Sequence, residues 1–540
     1  MPHHRDGYQT ALSGVGALIL AVAVLPLLFL GVQGATLLNT EAIEVFTRPD
    51  TGWAVLRTLS LGLGVAALCV GIALPLAWLT HSTDLPGRRF FQLGLNLPLA
   101  VPSYVSGFIV MATLGHGGWL HELLRPLGVE QMPEIRGGLG ATLALLYSYP
   151  FALIGLQAAL ESLDPRLWEA ARSLGCSPWR AWRTVVLPQL RAPLLSGGLL
   201  IALYTVGDFG AVSLLRYKSL SYIIYLRQDS LSDAYRHEAV FLALMLVVIA
   251  VGLVIGSEKA GGEVQQALSA QSHGRPWPVV RLGRWRWPAF GLCCAVFGLG
   301  VALPVGLVAW WLARGLALGH TIPLPTAATL ITLLLGVVGA LLIVAVAAFP
   351  ALLSRFGDEA ASRRVRLTSH VGYALPGIVV ALALLSAVTA WAWPLYQTVQ
   401  LLLIAYLIRF LPLAMHTLSE SLMRQSPSLY DAARSLGCTP PRAWWRVILP
   451  NSRAALAAGW LAVFIAVIKE LPITLLLGPI DFGEGILEDP PRFETLATRI
   501  WTLTADEYFS EVAPVVLLLL ATATVGLLLR PDTQHRRGAP

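Results

Sequence analysis

The chain has 540 residues, of which 56% are hydrophobic and only 13% are charged, and its formal net charge is +7. A soluble domain carries about a quarter charged residues, so this composition excludes an ordinary soluble protein and indicates lipid as the solvent. The positive charge is interpreted as a signal of membrane orientation, and nucleic-acid binding is the weaker interpretation.

A membrane-spanning helix needs about 20 mostly apolar residues, and twelve stretches of this chain qualify. In chain order they are 11–32, 53–80, 90–115, 138–161, 193–215, 237–256, 287–313, 326–353, 367–392, 395–420, 455–478 and 511–530. The sequence therefore predicts an all-α, polytopic membrane protein. The first stretch follows MPHHRDGYQT without a small-residue cleavage site and is interpreted as a retained helix.

The distribution of Lys and Arg predicts the orientation in the membrane. If the N-terminus is cytoplasmic, the inside segments hold 25 of the 38 basic residues. Short cytoplasmic loops are the ones enriched in basic residues. We therefore expect both termini in the cytoplasm and the protein in the inner (cytoplasmic) membrane.

The chain carries nearly the same segment twice, 262 positions apart. Glu169–Pro188 aligns without a gap with Asp431–Pro450, and 14 of the 20 residues are identical. The register continues through Gly197 and Gly459 to Asp208 and Glu470. Each half holds six spans, so both enter the membrane in the same direction, as parallel repeats do. The predicted division is a first six-helix repeat at 1–256, a polar cytoplasmic linker at 257–285 and a second six-helix repeat at 286–540.

The duplicated segment contains the start and stop signals of a helix, a sharp turn and a second helix. Helix formers end at Gly175, and Ser177 followed by Pro178 is an N-cap with proline at the first helical position. The second helix is predicted to run until Pro188 interrupts it. The second copy repeats this pattern around Gly437. Two such elbows on one face suggest two matching sockets on a partner, whereas an interfacial hairpin without a partner is the simpler alternative.

These segments resemble the EAA loop of ABC importer permeases, in which EAA is followed three residues later by glycine. The resemblance implies a type I permease fold with both six-helix units fused in one chain. It also implies that each elbow is a coupling helix that docks on a dimer of ATP-binding subunits. The coupling residues implied in this way are Glu169, Ala170, Ala171, Gly175, Asp431, Ala432, Ala433 and Gly437.

The chain contains no GxxxxGK[ST] motif and therefore no loop of that kind to cradle phosphates. No nucleophile–base pair or metal-ligand cluster emerges, and the five cysteines lack metal-ligand spacing. We therefore expect a transport subunit that is not itself an enzyme and holds no cofactor. The resemblance places ATP and magnesium on the partner ATPase.

Three further segments resemble permeases of ferric-iron importers. They are YTVGDFGAVSLLRYKSLSYIIY at 204–225, IKELPITLLLGP at 468–479 and FETLATRIWTLTADE at 493–507. Permeases for thiamine, sulfate, molybdate, polyamines and phosphonates share parts of this signature. The acidic insert at 481–491 departs from the iron pattern, and so does Gly478, which stands where arginine is expected.

Four charged residues fall within apolar spans, where an unpaired charge is expensive and usually faces a bundle interior or cavity. They are Asp208, Arg409, Lys469 and Glu470. Asp208 and Glu470 are repeat-equivalent, and a hard trivalent cation favours oxygen ligands, so this pair is a candidate for transient ferric contacts. Alternatively, Lys469 pairs with a carboxylate and braces a gate. Tyr104 is a candidate for lining the path or an ordinary packed aromatic residue.

The outer loops of the two halves carry opposite charges. The loop after the fifth span is basic at Arg216 and Lys218, and the loop after the eleventh is acidic at Asp481, Glu484, Glu488 and Asp489. The resemblance implies a soluble substrate-binding protein, which these charges would orient. An ion-coupled secondary transporter also has twelve spans and two repeats and stays the alternative from another class.

Overall fold

A computed structural model of the chain describes residues 21, 25, 27–36, 45, 48–230, 232–269, 277–356, 375–424, 427–479 and 493–528. This part of the chain is helical throughout, and its only β-type pairing is an isolated parallel bridge between Thr83 and Val280. Helices satisfy their own backbone hydrogen bonds, which is the requirement for crossing lipid. The predicted all-α class is confirmed.

Six of the described helices are long and apolar enough to cross a membrane, or nine if each of three bent pairs counts as one span. The six are Pro49–Ser82, Gly138–Ser162, Tyr235–Ser257, Gly283–Ala317, Thr326–Leu352 and Val399–Ser419. The bent pairs are Arg88–Ala100 with Ser103–Leu127, Pro178–Gln189 with Arg191–Val206, and Trp444–Asn451 with Arg453–Ile468. Shorter apolar helices lie at Leu27–Thr36, Gly377–Trp391 and Phe509–Thr524. Each of the twelve predicted stretches overlaps one of these elements.

The chain divides into two compact bodies. The first body consists of Thr40–Ile322 and Leu503–Leu517, and the second consists of Met1–Asn39, Pro323–Thr502 and Leu518–Pro540. The bodies are therefore not the two sequence repeats. The long helix Gly283–Ala317, which opens the second repeat, belongs to the first body, and Leu27–Thr36 of the first repeat belongs to the second body. The predicted boundaries at 1–256, 257–285 and 286–540 describe the sequence repeats and stay a prediction.

The core of the first body is built on Pro49–Ser82, Pro150–Ser162, Arg191–Val206 and Asp233–Ser269, which pack against one another. Small residues allow close approach: a Cβ at Gly197 would lie 3.1 Å from the Cα of Ala152. Such contacts replace the hydrophobic effect, which does little between helices in lipid. The remaining helices of this body include Ser103–Leu114, Gly138–Leu145, Gly210–Leu214 and Leu220–Gln228.

The core of the second body is built on Thr326–Phe356, Val399–Arg424 and Arg453–Ile468, with Gly377–Trp391 and Pro472–Leu477 packed beside them. A Cβ at Gly336 would lie 2.7 Å from Ile468 Cγ2, so this helix crossing is also tight. Leu496–Ala505 and Phe509–Leu528 contribute residues to both bodies. Large apolar side chains on the spans are exposed, as lipid-facing residues are, for example Leu63, Val248 and Leu334.

Candidate functional site

The first elbow, defined here as residues 165–189, begins with helix Pro165–Ser173 and turns at Gly175. Gly175 has φ +82°, a left-handed conformation that glycine adopts without a Cβ penalty. Its N–H donates to the Arg172 carbonyl at 3.1 Å, and the Cys176 N–H donates to the Ala171 carbonyl at 3.1 Å. The Ser177 hydroxyl then caps the next helix by accepting from the Arg180 N–H at 3.3 Å. The turn therefore satisfies the backbone groups at both helix ends.

The second elbow, residues 427–451, repeats this geometry. Helix Pro427–Ser435 turns at Gly437, which also has φ +82°. The Gly437 N–H donates to the Arg434 carbonyl at 3.0 Å, and the Cys438 N–H donates to the Ala433 carbonyl at 3.1 Å. Thus the last alanine of each EAA-like triplet supplies a carbonyl that closes the turn.

Each elbow exposes a leucine directly before its turning glycine. Leu174 is 84% exposed and Leu436 is 85% exposed. Ala170, Ala432 and Asp431 are exposed as well, Glu169 and Ala171 are half-buried, and Ala433 is buried. One exposed leucine means little, but the same exposed leucine at two repeat-equivalent turns gives the two elbows matching apolar surfaces.

The sequence predicts that the helix after each turn ends at its proline. In the structure the helix instead continues through the proline and ends one residue later. In the first elbow a π turn covers Trp182–Val186, the helix continues through Leu187–Gln189, and the chain bends by 61° before Arg191–Val206. The π turn, in which the Leu187 N–H donates to the Trp182 carbonyl, accommodates the missing N–H of Pro188. The second elbow has the same π turn at Trp444–Ile448 and a 64° bend.

The fifth span is not continuous over 193–215, because helix Arg191–Val206 ends and Gly210–Leu214 begins after a short break. Asp208 lies in this break and is 7% exposed. Its Oδ2 accepts hydrogen bonds from the N–H of Ala211 at 3.0 Å and of Val212 at 3.4 Å. The Ser221 hydroxyl donates to the Asp208 carbonyl at 2.5 Å. The carboxylate therefore caps a helix that starts within an apolar span.

Tyr104 lies next to this break. A Cβ at Gly210 would come within 2.9 Å of the Tyr104 nitrogen and 2.8 Å of the Ser103 hydroxyl. The Ser103 side chain also interacts with the Asp208 carboxylate. Tyr104 is only 2% exposed, so it packs against the break. Two predicted residues, Tyr104 and Asp208, are thus brought together, and Ser103 joins them although its sequence gave no signal.

The eleventh span is broken in the same way between Arg453–Ile468 and Pro472–Leu477. Glu470 Oε1 accepts from the Ile473 N–H at 3.3 Å, and the Thr474 hydroxyl donates to the Glu470 carbonyl at 3.1 Å. A Cβ at Gly377 would lie 2.7 Å from Glu470 Oε1, so the neighbouring helix approaches the carboxylate closely. Lys469 and Glu470 are both half-buried.

Arg409, in helix Val399–Arg424, interacts electrostatically with Glu470. Sequence reasoning proposed Lys469 as the bracing cation and left Arg409 without a partner. The signal that could have found it is its isolation in an otherwise apolar stretch, since a lone intramembrane charge needs a counter-charge. Tyr406, one turn before Arg409, shares a 2.6 Å hydrogen bond with the Thr474 hydroxyl. Asp208 belongs to the first body and Glu470 to the second, so each break is described by itself.

The predicted docking residues Arg216 and Lys218 are exposed on a tight turn after Gly210–Leu214. Arg216 has φ +51°, which is unusual for a residue with a side chain. Its repeat mate, Gly478, has φ −58°, and a Cβ there would lie 2.5 Å from the Thr474 carbonyl oxygen. The backbone at Gly478 therefore has no room for the expected arginine. Asp481, Glu484, Glu488 and Asp489 lie outside the described residues.

The matched repeats and broken spans can be compared with known proteins. Residues 67–257 and 295–530 match the family described as binding-protein-dependent transport system inner membrane component. The chain belongs to this family. It is an ABC importer permease that carries two copies of the family domain in one polypeptide, and a multi-pass membrane protein.

The permease is similar to named transport proteins of other organisms. It is 28% identical over 515 residues to an Fe(3+)-transport system permease protein, FbpB 2, of Haemophilus influenzae, and the match covers 94% of each chain. It is 31% identical to the sulfate transport system permease protein CysT of Escherichia coli, over 38% of this chain and 74% of that one. It is 33% identical to the molybdenum transport system permease protein ModB of Escherichia coli, over 30% of this chain and 71% of that one.

Proposed function

We propose that this permease passes ferric iron across the inner membrane. The observation that carries the proposal is the match to the Fe(3+)-transport permease, which spans 94% of both chains and so includes both repeats. The sulfate and molybdenum relatives match over well under half of this chain, although over 74% and 71% of their own shorter lengths. The resemblance of 204–225, 468–479 and 493–507 to ferric permeases supports the same substrate.

In this proposal the ion passes the two breaks in the spans. Asp208 and Glu470 present carboxylate oxygens, the ligands that a hard trivalent cation prefers. Each carboxylate already accepts hydrogen bonds from a helix start, so it would contact the ion weakly and briefly, as transport requires. Tyr104 and Lys469 would line or brace the gate beside them.

The energy would come from a dimer of separate ATPase subunits, which hold ATP and magnesium. The two elbows, with Leu174 and Leu436 exposed at equivalent turns, would each dock on one copy. A soluble binding protein would deliver the ion to the outer face. There it would meet the basic residues Arg216 and Lys218, which are exposed, and the acidic residues Asp481, Glu484, Glu488 and Asp489. Both termini would lie in the cytoplasm.

A sulfate or molybdate permease is the second candidate, favoured by the CysT and ModB relatives. The test is uptake into proteoliposomes that contain the permease, its ATPase and its binding protein. We expect ATP-dependent uptake of radioactive ferric iron that excess sulfate or molybdate does not reduce, and that persists when an ionophore collapses ion gradients. Uptake of the oxyanions in place of iron would overturn the ferric proposal, and loss of uptake with the ionophore would indicate a secondary transporter.

A further inference from the structure

Residues 277–282 of the linker, called the strap here, are fixed to the loop that follows helix Pro49–Ser82. The Val280 N–H donates to the Ser82 carbonyl at 2.8 Å, and the Asp84 N–H donates to the Val280 carbonyl at 3.2 Å. The Leu282 N–H donates to Asp84 Oδ1 at 2.8 Å. Ser82 is fully buried. Three hydrogen bonds to a buried loop make the strap part of the packed structure, although the linker sequence is polar.

The strap begins with Trp277, whose ring packs against the first elbow. Its centroid lies 6.0 Å from that of Trp168 and 6.1 Å from that of His81. Trp168 in turn lies 5.6 Å from Trp78, and Trp78 lies 6.0 Å from Trp182 of the same elbow. Trp168 directly precedes Glu169 and is 4% exposed. The strap therefore contacts the buried side of the coupling helix itself.

Helix Pro165–Ser173 has nine residues, too few for a stable helix in isolation. Its orientation must come from tertiary contacts, and Trp168 is the only buried residue of this helix besides Pro165. The ring of Trp277 is one side of the pocket that receives Trp168. Since hydrogen bonds hold the strap on the loop after the second span, the strap links that loop to the elbow.

The matching position in the second elbow holds Tyr430, whose ring lies 6.0 Å from Trp444 of the same hairpin. The strap and the first elbow both belong to the first body, and the second elbow belongs to the second body. The described ring contacts of the strap are therefore with the first elbow, inside one body.

We propose that Trp277 is a positioning residue for the first coupling elbow: the linker strap holds helix Pro165–Ser173 in place, so that loosening the strap weakens the coupling of this elbow to the ATPase. The contact between the strap and the elbow lies within this chain and does not depend on a partner. Its consequence for coupling rests on the proposed ATPase docking.

The chain offers a matched pair of reporters, because Cys176 and Cys438 follow the two turning glycines and are both half-buried. In full-length variants that keep only one of these two thiols, with the other cysteines changed to Ala, maleimide labelling rates report the local opening of each elbow. We expect Trp277→Ala to raise the labelling rate of Cys176 several-fold and to leave that of Cys438 unchanged. Trp277→Phe should restore most of the protection. Val279→Ala, in the strap but with an exposed side chain, should change neither rate.

An equal change at both thiols, or none at Cys176, would overturn the bracing. If Trp277→Ala does not fold, Asp84→Ala decides the question, because it removes the acceptor of the Leu282 N–H and keeps the ring. It should raise the Cys176 rate alone.

The consequence for coupling is measured as ATP hydrolysed per ion taken up in proteoliposomes. This ratio should rise several-fold in Trp277→Ala and stay near the wild-type value in Trp277→Phe. A normal ratio despite a loosened Cys176 would overturn the positioning role. If wild-type uptake does not depend on the ATPase, the proposed function and the coupling consequence fall together, and the labelling comparison still decides the bracing.

Discussion

The backbone N–H of Leu220 donates a hydrogen bond to the Thr58 hydroxyl at 2.9 Å. The second body contains the same pairing, in which the Leu496 N–H donates to the Thr332 hydroxyl at 2.8 Å. Both threonines are 2% exposed. Each bond ties the start of a short helix to a long span. The two threonines are 274 positions apart and the two leucines 276, whereas the elbows are 262 apart. The same contact is therefore present in both halves although the loops between the helices differ in length.

Thr58→Val or Thr332→Val should each lower the free energy of unfolding by about 1–3 kcal/mol, because a buried N–H loses its acceptor while the side-chain shape is kept. Thr→Ser at the same positions retains the hydroxyl and is the matched control. The measurement is the thermal unfolding midpoint of the purified permease in detergent. Equal midpoints for the Val and Ser variants would contradict the assignment.

The two turning glycines should tolerate asparagine and reject valine. A left-handed residue with a side chain costs about 1–2 kcal/mol, and asparagine is the side chain that visits this region most readily. No atom lies within 4 Å of a Cβ built at Gly175 or Gly437, so the effect is one of backbone conformation and not of crowding. We expect the Gly175→Val, Gly437→Val double variant to insert normally but to lose ATP-driven uptake. The corresponding Asn double variant should keep most of it, and equal uptake by both would refute the role of the turn.

The carboxylates at the two breaks have a capping role and a proposed ion-contact role, and isosteric changes separate them. Asp208→Asn and Glu470→Gln keep an oxygen acceptor for the helix start, so assembly and thermal stability should be near normal while iron uptake falls. Asp208→Ala removes the cap as well and should cost about 1–2 kcal/mol of stability.

If Glu470 acts only by balancing a neighbouring cation, Arg409→Met should restore part of the uptake lost in Glu470→Gln, because Arg409 is the cation that interacts with Glu470. The measurements are uptake in proteoliposomes and co-purification with the ATPase. Full ferric uptake by the Asp208→Asn, Glu470→Gln double variant would exclude both roles.

The exposed basic turn should set the rate at which the binding protein docks. Arg216→Asn preserves tolerance for the left-handed backbone and removes the charge, and Lys218→Ala removes the second charge. The double variant should slow association several-fold at low salt, and the difference should vanish at high salt, where charges are screened. Neutralising Asp481, Glu484, Glu488 and Asp489 should have a similar salt-dependent effect. An unchanged association rate at low salt would assign these residues to solvated loops.

The elbows were predictable because their geometry is local. A turning glycine, a capping Ser or Thr and a following proline specify the helix ends within ten residues, and the duplication makes the pattern conspicuous. The spans were predictable because apolar length alone defines them. The breaks at Asp208 and Glu470 were not, since a hydropathy window averages over two or three polar residues. The π turns before Pro188 and Pro450 depend on how the backbone accommodates a proline within a packed hairpin.

Which helices belong to which body was also not predictable from the sequence. The surface that a span presents to lipid and the surface that it presents to another span are equally apolar, so hydropathy does not reveal the partner of a helix. The position of the strap was not predictable either. Its residues lie in a segment interpreted as a polar linker, and they are held mainly by backbone hydrogen bonds, which the side-chain pattern does not reveal.

The membership of helix Gly283–Ala317 in the first body has a consequence for biosynthesis. A ribosome that has delivered residues 1–256 has made the whole first repeat but not the helix Gly283–Ala317 that packs on the first body. Until residue 317 is inserted, Pro98 lacks the glycine that lies against it, Gly300, and the Ala112 carbonyl lacks the Trp311 indole that donates to it. The helix Leu27–Thr36 is made early, yet it belongs with residues synthesised last. We therefore expect the two bodies to be completed in an interleaved order during translation, and a chain that terminates in the linker to expose the surfaces at Pro98 and Ala112 that Gly283–Ala317 otherwise covers.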